Sequence, residues 1–270
     1  MLRSILHSAS KSNVRYNSYK ISPKFQYISD IHLEYRNVLP TIKPIANNLA
    51  LLGDIGNPFK ENYLHFMRHA SQNWDRIFII SGNHEYWQSK YNYNDVDNKI
   101  QELVSQFNNI HFLNNTSYEC DDYIVLGTTL WSKINKSPLK IMGDDLYIKS
   151  NNRAITFDEL NNLHVIAKNW LSDNIYNSKK PLLILTHHLP SYKLIIPKYK
   201  SGIFAPYQDR FASDLDHLIK DPVKFWLCGH SHCNIEMKIN NILCGINAFG
   251  YNKQSELKHP NEYLKFIDLY

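Results

Sequence analysis

Five short apolar runs in this chain stop abruptly at glycine, aspartate, asparagine or histidine, and this pattern constrains the fold more than any other feature. The runs cover residues 25–29 before Asp30, 49–52 before Gly53-Asp54, 77–80 before Gly82-Asn83, 182–185 before His187-His188, and 223–228 before Gly229-His230. Apolar runs this short, closed by turn residues, predict strands buried on both faces. Helix-like stretches lie between them at 57–71, 95–107, 157–176 and 209–219, with Asn57 suited to a cap and Pro58 to a first turn. Residues 235–247 hold two strand-like runs around Asn240-Asn241, which predicts a hairpin. Strand and helix alternate, so the class is α/β or a layered αβ sandwich.

Composition narrows the function classes. With 270 residues, 43% hydrophobic and 20% charged, the chain can bury a core of ordinary enzyme size. No apolar stretch approaches the roughly 18 residues that a membrane-spanning helix needs, so no membrane partner is expected. The four cysteines, Cys120, Cys228, Cys233 and Cys244, lack CxxC spacing and are too few for a disulfide scaffold, which points to a reduced intracellular compartment. Lysine and arginine number 30 against 25 acids, but Arg3, Lys11, Arg15, Lys20 and Lys24 all precede Asp30, the first acid, and beyond them the charges balance. A nucleic-acid partner is therefore not favoured for the folded body. The segment 1–24 is Ser-rich, basic and acid-free, a composition that fits a flexible tail or an organellar transit peptide. The expected organisation is that segment followed by one domain over 25–270, located in the cytoplasm, or in mitochondria if the segment is a transit peptide. Oligomeric state is not encoded in any pattern here.

The residues behind the strands carry the chemistry. They are Asp30-x-His32, Gly53-Asp54, Gly82-Asn83-His84-Glu85, His187-His188 and Gly229-His230-Ser231-His232. Ligand sites in open α/β sheets gather at strand ends, where loops converge on one crevice. Carboxylates, neutral imidazoles and an asparagine oxygen form mixed N/O shells that suit manganese, zinc or iron, not calcium. One carboxylate can bridge two ions, and two ions about 3.5–4 Å apart can hold a bridging hydroxide for in-line attack at phosphorus. The glycines beside Asp54, Asn83 and His230 suit tight turns, and the two-residue spacing within Asp-x-His and His-x-His aligns both side chains if the backbone is extended.

These motifs, in this order over residues 30–232, resemble the calcineurin-like metallophosphoesterase family. The resemblance implies a four-layer αββα sandwich with a dinuclear metal site at the strand ends. It implies Asp30, His32, Asp54 and His232 as ligands of a first divalent ion, and Asp54, Asn83, His187 and His230 as ligands of a second. His84 resembles the family's non-ligand histidine, which protonates the leaving oxygen, and Asp30 is the acid expected to orient it. Of the His187-His188 pair, His187 is taken as the ligand, with His188 the alternative. Glu85 reads as a helix-start acid and Cys228 as a small apolar packing residue, and Cys233 is not expected among the ligands.

The implied activity is metal-dependent hydrolysis of phosphate esters, with diesters slightly favoured and a small-molecule or nucleotide substrate. A phosphomonoesterase or Ser/Thr protein phosphatase is the alternative, weakened because the Gly53-Asp54 run lacks the Asp-Arg-Gly turn that supplies a phosphate-clamping arginine. A non-catalytic scaffold on the same fold characteristically loses site residues, whereas every position is filled here. Lys193, Lys198 and Lys200 alternate with Tyr192, Tyr199, Phe204 and Tyr207, a mix that suits an anion carrying a ring, or a plain packing loop. Tyr86, Trp87, Tyr91, Tyr93 and Trp131 are further candidates for the walls of the cleft or the core.

Overall fold

The computed structural model describes residues 22–135, 143–251 and 263–269. The basic segment up to residue 21, and with it the transit-peptide expectation, lies outside the described residues. Two large sheets form the centre. The first runs in the order β13 (Phe266–Asp268), β1 (Lys24–Ile28), β2 (Asn48–Leu52), β3 (Arg76–Ile80), β4 (Ile110–Phe112), parallel except for the edge strand β13. The second runs β11 (Asn234–Ile239), β12 (Ile242–Asn247), β10 (Val223–Cys228), β9 (Leu182–Thr186), β6 (Ile124–Thr128), β5 (Thr116–Glu119), with antiparallel strands at both edges. A small ribbon pairs β7 (Lys149–Ser150) with β8 (Arg153–Ala154).

Side-chain alternation decides how these sheets stack. In β2, Ala50 and Leu52 enter one core cluster while Leu49 and Leu51 enter another, and Phe78/Ile80 against Ile77/Ile79 repeat the split in β3. In β9, Leu183 and Leu185 join Ala50, Leu52 and Phe78, whereas Leu182 and Ile184 face away. The shared cluster is the layer between the sheets. Strands apolar on both faces need a cover on each outer side. Helices α1 (Glu61–Asn73) and α2 (Tyr93–Val104) cover the first sheet through Tyr63, Phe66, Met67, Val96 and Ile100, and α4 (Phe157–Asn177) covers the second through Ala167, Leu171 and Ile175. Helix, sheet, sheet, helix is the four-layer arrangement expected. Each fully buried Leu or Phe in these clusters contributes about 1.5–3 kcal/mol relative to exposure. No helix among the described residues is long and apolar enough to cross a membrane.

Most expected elements form, with shifted ends. The start of α1 falls at Glu61, because Asn57 Oδ1 accepts the Phe59 N–H at 2.9 Å and closes a turn ahead of the helix. Helix α4 begins at Phe157 behind Thr156, whose Oγ1 accepts the Glu159 N–H at 3.2 Å while Glu159 accepts the Thr156 N–H at 2.8 Å. The β11–β12 hairpin turns at Asn240 and Asn241, with φ of 49° and 67°, a conformation asparagine tolerates. The helix expected over 209–219 does not form. Its place holds a 3-10 segment over Gly202–Arg210 and a single turn over Asp216–Leu218. Leu189 explains this: it donates to Phe211 and accepts from Ser213, so this backbone is committed to the loop behind β9.

Candidate metal centre

The loops behind β1, β2, β3, β9 and β10 meet at one end of the two sheets, and they are fastened to each other by main-chain bonds. Asp30 N–H donates to Gly53 O at 3.0 Å, His32 N–H to Asp54 O at 2.9 Å, and Gly229 N–H to His187 O at 3.0 Å. Ser29 joins the sheets, donating to Asn247 O at 3.0 Å while its own carbonyl accepts from Phe249 at 2.8 Å.

The backbone here is not extended. Asp30, His32, Asp54, His230 and His232 have φ of 55°, 52°, 54°, 68° and 50°, all in the left-handed region that non-glycine residues avoid. Left-handed backbone, rather than strand-like spacing, therefore aims the members of each pair. Each such residue costs about 1–2 kcal/mol, and such strain persists only where surrounding contacts hold it. Of the glycines, Gly53 takes the left-handed turn at φ 82°, whereas Gly82 permits close approach: a Cβ there would lie 2.1 Å from Asp54 Oδ1.

Three groups of ligand-type atoms result, each within 4.8 Å: Asp30, His32, Asp54 and His232; Asp54, His187 and His230; and, beside the first, His32, Glu34 and His84. Asp54 belongs to the first two. In the first, His32 Nε2 lies 3.0 Å from His232 Nε2 and 3.7 Å from Asp54 Oδ2, and His232 Nε2 lies 3.3 Å from Asp30 Oδ1. In the second, Asn83 Oδ1 lies 3.1 Å from both His187 Nε2 and His230 Nδ1, and His187 Nε2 lies 3.4 Å from Asp54 Oδ2. The other ring nitrogens have acceptors: His32 Nδ1 with Glu34 Oε1 at 2.9 Å, His187 Nδ1 with Leu52 O at 2.8 Å, and His230 Nε2 with Arg210 O at 3.3 Å. Donating outward on that side leaves each ring's lone pair directed inward, among carboxylate and amide oxygens. Among the described residues no hydrogen bond reaches buried Asp30 Oδ1, although His232 Nε2 stands 3.3 Å away. Lone pairs converging in this way call for cations, so the donor set fits divalent ions.

The electrostatics agree. Burial alone would raise the Asp54 pKa, but the His187, His84 and His32 rings hold it well below the usual carboxylate range. Burial opposes charge on His187, yet Asp54 outweighs it and lifts the ring to about 9, so this spot favours positive charge. His230, buried beside His187, is pushed down to about 3.

His188 lies behind this centre. Its main-chain N–H donates to Thr129 O at 3.1 Å, its ring lies tilted against His230 at 4.2 Å, and it joins none of these ligand groups. Cys228 is fully buried in the core, and Cys233 Sγ sits 2.9 Å from Ser231 Oγ.

Two acids have duties that the sequence did not reveal. Glu85 is fully buried, and its carboxylate accepts the N–H groups of Asp54 at 2.9 Å, Ile55 at 2.6 Å, Gly56 at 3.2 Å and Gly82 at 2.7 Å. It clamps the two glycine turns together and is no mere helix-start acid. Burial, then the nearby Asp54 charge, raises its pKa to about 7. Glu34 faces His84, with Oε1 3.3 Å from Nδ1. The expected Asp30 partnership with His84 is absent, because Asp30 Oδ2 accepts from Ser29 Oγ at 2.5 Å and from His230 N–H at 3.1 Å. The Glu34 position, four residues beyond Asp30 in the same loop, was the available signal. Burial works against a charged His84, but Asp54 and Glu34 outweigh it and raise its pKa.

A cavity of about 370 Å³ opens onto Asp54, Asn83, His84, His230 and His232, with walls that include Trp87, Lys198, Tyr199, Phe204, Arg210 and Tyr251. The lysine–tyrosine segment thus reaches the site through Lys198, Tyr199 and Phe204, whereas Lys193 pairs with Asp216 at 2.8 Å elsewhere. Trp131 packs in the core instead, 5.4 Å from Tyr86, and Tyr91 stacks on Phe59 at 3.8 Å.

Comparison with known proteins agrees with this geometry. The chain is 34% identical over 271 residues to an uncharacterized protein of Acanthamoeba polyphaga mimivirus, covering 90% of this chain and 97% of that one. Its fold matches a phosphopantetheinyl hydrolase from Mycobacterium tuberculosis with a TM-score of 0.71 at 11% identity, covering 91% of this chain and 96% of the other. A protein of Thermus thermophilus matches with a TM-score of 0.54 at 12% identity, covering 92% and 100%. The family model described as calcineurin-like phosphoesterase matches residues 24–234, and the chain belongs to that family of metal-dependent hydrolases.

Proposed function

We propose that Asp30, His32, Asp54 and His232 hold one divalent ion, that Asp54, Asn83, His187 and His230 hold a second, and that the pair hydrolyses phosphate esters. The observation that carries this is the inward convergence of lone pairs around a shared Asp54, built on left-handed backbone. Manganese, zinc or iron suits the N/O donors. Such ions, when bound, neutralise phosphoryl oxygens and lower the pKa of a water.

The chain's own groups do the rest. His84, buried at the cavity wall, holds its proton with Glu34 at its back, so it is suited to protonate a departing oxygen. Trp87 stacks on His84 at 3.7 Å and fixes the ring plane. Arg210 and Lys198 offer positive charge to the ester's oxygens from across the cavity.

A diester is favoured because space lies on both sides of His84. A second hollow of about 350 Å³, lined by Glu34, Tyr35, Asn57, Lys60, Gln88 and Tyr147, shares His84 and Trp87 with the first. A leaving group could occupy it while the retained group sits among the aromatics. A monoesterase remains the second reading, supported by Arg210, which supplies at the cavity the guanidinium that the Gly53-Asp54 turn lacks. Paired aryl substrates, one diester and one monoester, separate the two. Chelator-stripped protein is resupplied with manganese, zinc or iron, and diester cleavage should be faster by tenfold or more. A monoester preference would overturn the diester reading, and the absence of metal-dependent cleavage of either would count against both.

A further inference from the structure

The second ion's pocket depends on a short element that none of the motifs contains, the one-turn helix α3 (Asp144–Tyr147). An asparagine side chain presents either its oxygen or its nitrogen, and its neighbours decide which. Asn83 Nδ2 donates to Asp144 Oδ1 at 2.9 Å, which turns Asn83 Oδ1 toward His187 and His230. The same Asp144 oxygen accepts the Trp87 indole N–H at 2.8 Å, and Trp87 stacks on His84. Gly143 permits this closeness, because a Cβ there would lie 2.3 Å from the Trp87 ring. Tyr147, on the same turn, packs 5.0 Å from that indole.

The neighbouring residue reaches the other side. Asp145 Oδ1 lies 3.7 Å from Arg210 Nη1, and the Arg210 guanidinium packs 5.1 Å over Phe157. The Arg210 carbonyl faces His230 Nε2 at 3.3 Å, which reserves His230 Nδ1 for the centre. One turn of helix therefore holds Asn83 directly and sets Asp145 beside the guanidinium of Arg210, the residue whose main-chain carbonyl faces His230. The Asp144 contact with Asn83 and the Asp145 contact with Arg210 lie on the second ion's side, whereas the Asp144 contact with Trp87 leads to His84, whose ring centroid is 4.5 Å from that of His32.

We propose that Asp144 is a positioning residue for the second ion's pocket, setting the Asn83 amide, and that Asp145 supports the same side more weakly by bracing Arg210 behind His230. This rests on the dinuclear reading above. It assigns to the α3 segment a selective control over one half of the centre, while His84 is steadied through Trp87.

The test is calorimetric titration of Mn²⁺ into chelator-stripped full-length protein, with ion content measured independently. Wild type should take up two ions, and Asp144→Ala should weaken one of them by roughly 10–100-fold and leave the other unchanged. Asp145→Ala should weaken the same ion less. Asp144→Asn, which keeps an acceptor oxygen in the same volume, should restore most of the affinity and guards against a folding defect. In an Asn83→Ala background, Asp144→Ala should add little, since both act through one amide. Equal weakening of both ions, no weakening of either, or full additivity with Asn83→Ala would overturn the inference alone. Wild-type protein that takes up fewer than two ions would overturn the dinuclear reading and this inference with it.

Discussion

The two halves of the centre are built differently. Around Asp30 and His32 some side-chain supports are close in sequence: His32 is held by Glu34 two residues on, and Asp30 by Ser29 next to it, although Asp30 also accepts from His230 N–H, 200 residues on. Around Asn83, His187 and His230 they come from far away. Asn83 is held by Asp144, 61 residues on, His187 by Leu52 O, 135 residues back, and His230 by Arg210 O, 20 residues back. The Asp30–His32 loop carries some of its supports locally, although Asp54 and His232 must still come from other strand ends to complete that half. The second half is assembled, so it depends on how α3, the β2 terminus and the 3-10 segment dock.

Asp54 joins the halves, and its replacement is the harshest way to break the comparison. Asp54→Asn should lower turnover at least about a thousandfold with loss of bound ion, read by steady-state rates and metal analysis. Wild-type turnover in that variant would sink the shared-carboxylate assignment. Next in size is a contrast of His32→Ala with His187→Ala. Each should leave about one ion per chain, and metal-centred spectra with a paramagnetic ion should differ between the two residual sites. If both variants lost both ions equally, the halves would be one inseparable unit.

Glu85 serves both halves from below, so its loss should appear as stability. Glu85→Gln puts an NH₂ group among four main-chain N–H groups and should cost roughly 2–4 kcal/mol, measured by denaturant unfolding of ion-free protein. An unchanged midpoint would show that the clamp is dispensable. The smallest effect is expected at Glu34. It helps raise the His84 pKa, and an acid catalyst loses activity as pH rises through its own pKa. Glu34→Gln should therefore move the basic limb of the rate–pH profile to lower pH, with about a tenfold loss of rate above it. A limb that stays in place would remove Glu34 from the acid's environment.

What was legible in the sequence was whatever short-range patterning encodes. Apolar runs over 49–52 and 77–80 predict buried strands. The glycines and histidines at their ends predict the crevice and the candidate ligands, because a strand end, a turn and a polar side chain are local facts. The Asn240-Asn241 hairpin belongs with them. The failed helix at 209–219 marks the limit: its residues suit a helix, but Leu189 takes its backbone bonds. The duties of Glu85 and Glu34 escape the sequence for the same reason. A carboxylate's partners here are main-chain groups and rings that meet only after the loops fold.

The sequence by itself determined the α/β layering and the inventory of donors behind five strands. Only the tertiary structure decided which nitrogen of each histidine faces inward, which way Asn83 points, and which acid stands behind His84. Ring tautomers and amide orientation are set by the second partner of each group. Leu52 O, Arg210 O and Asp144 reach those positions through sheet register and loop docking, which no spacing along the chain records.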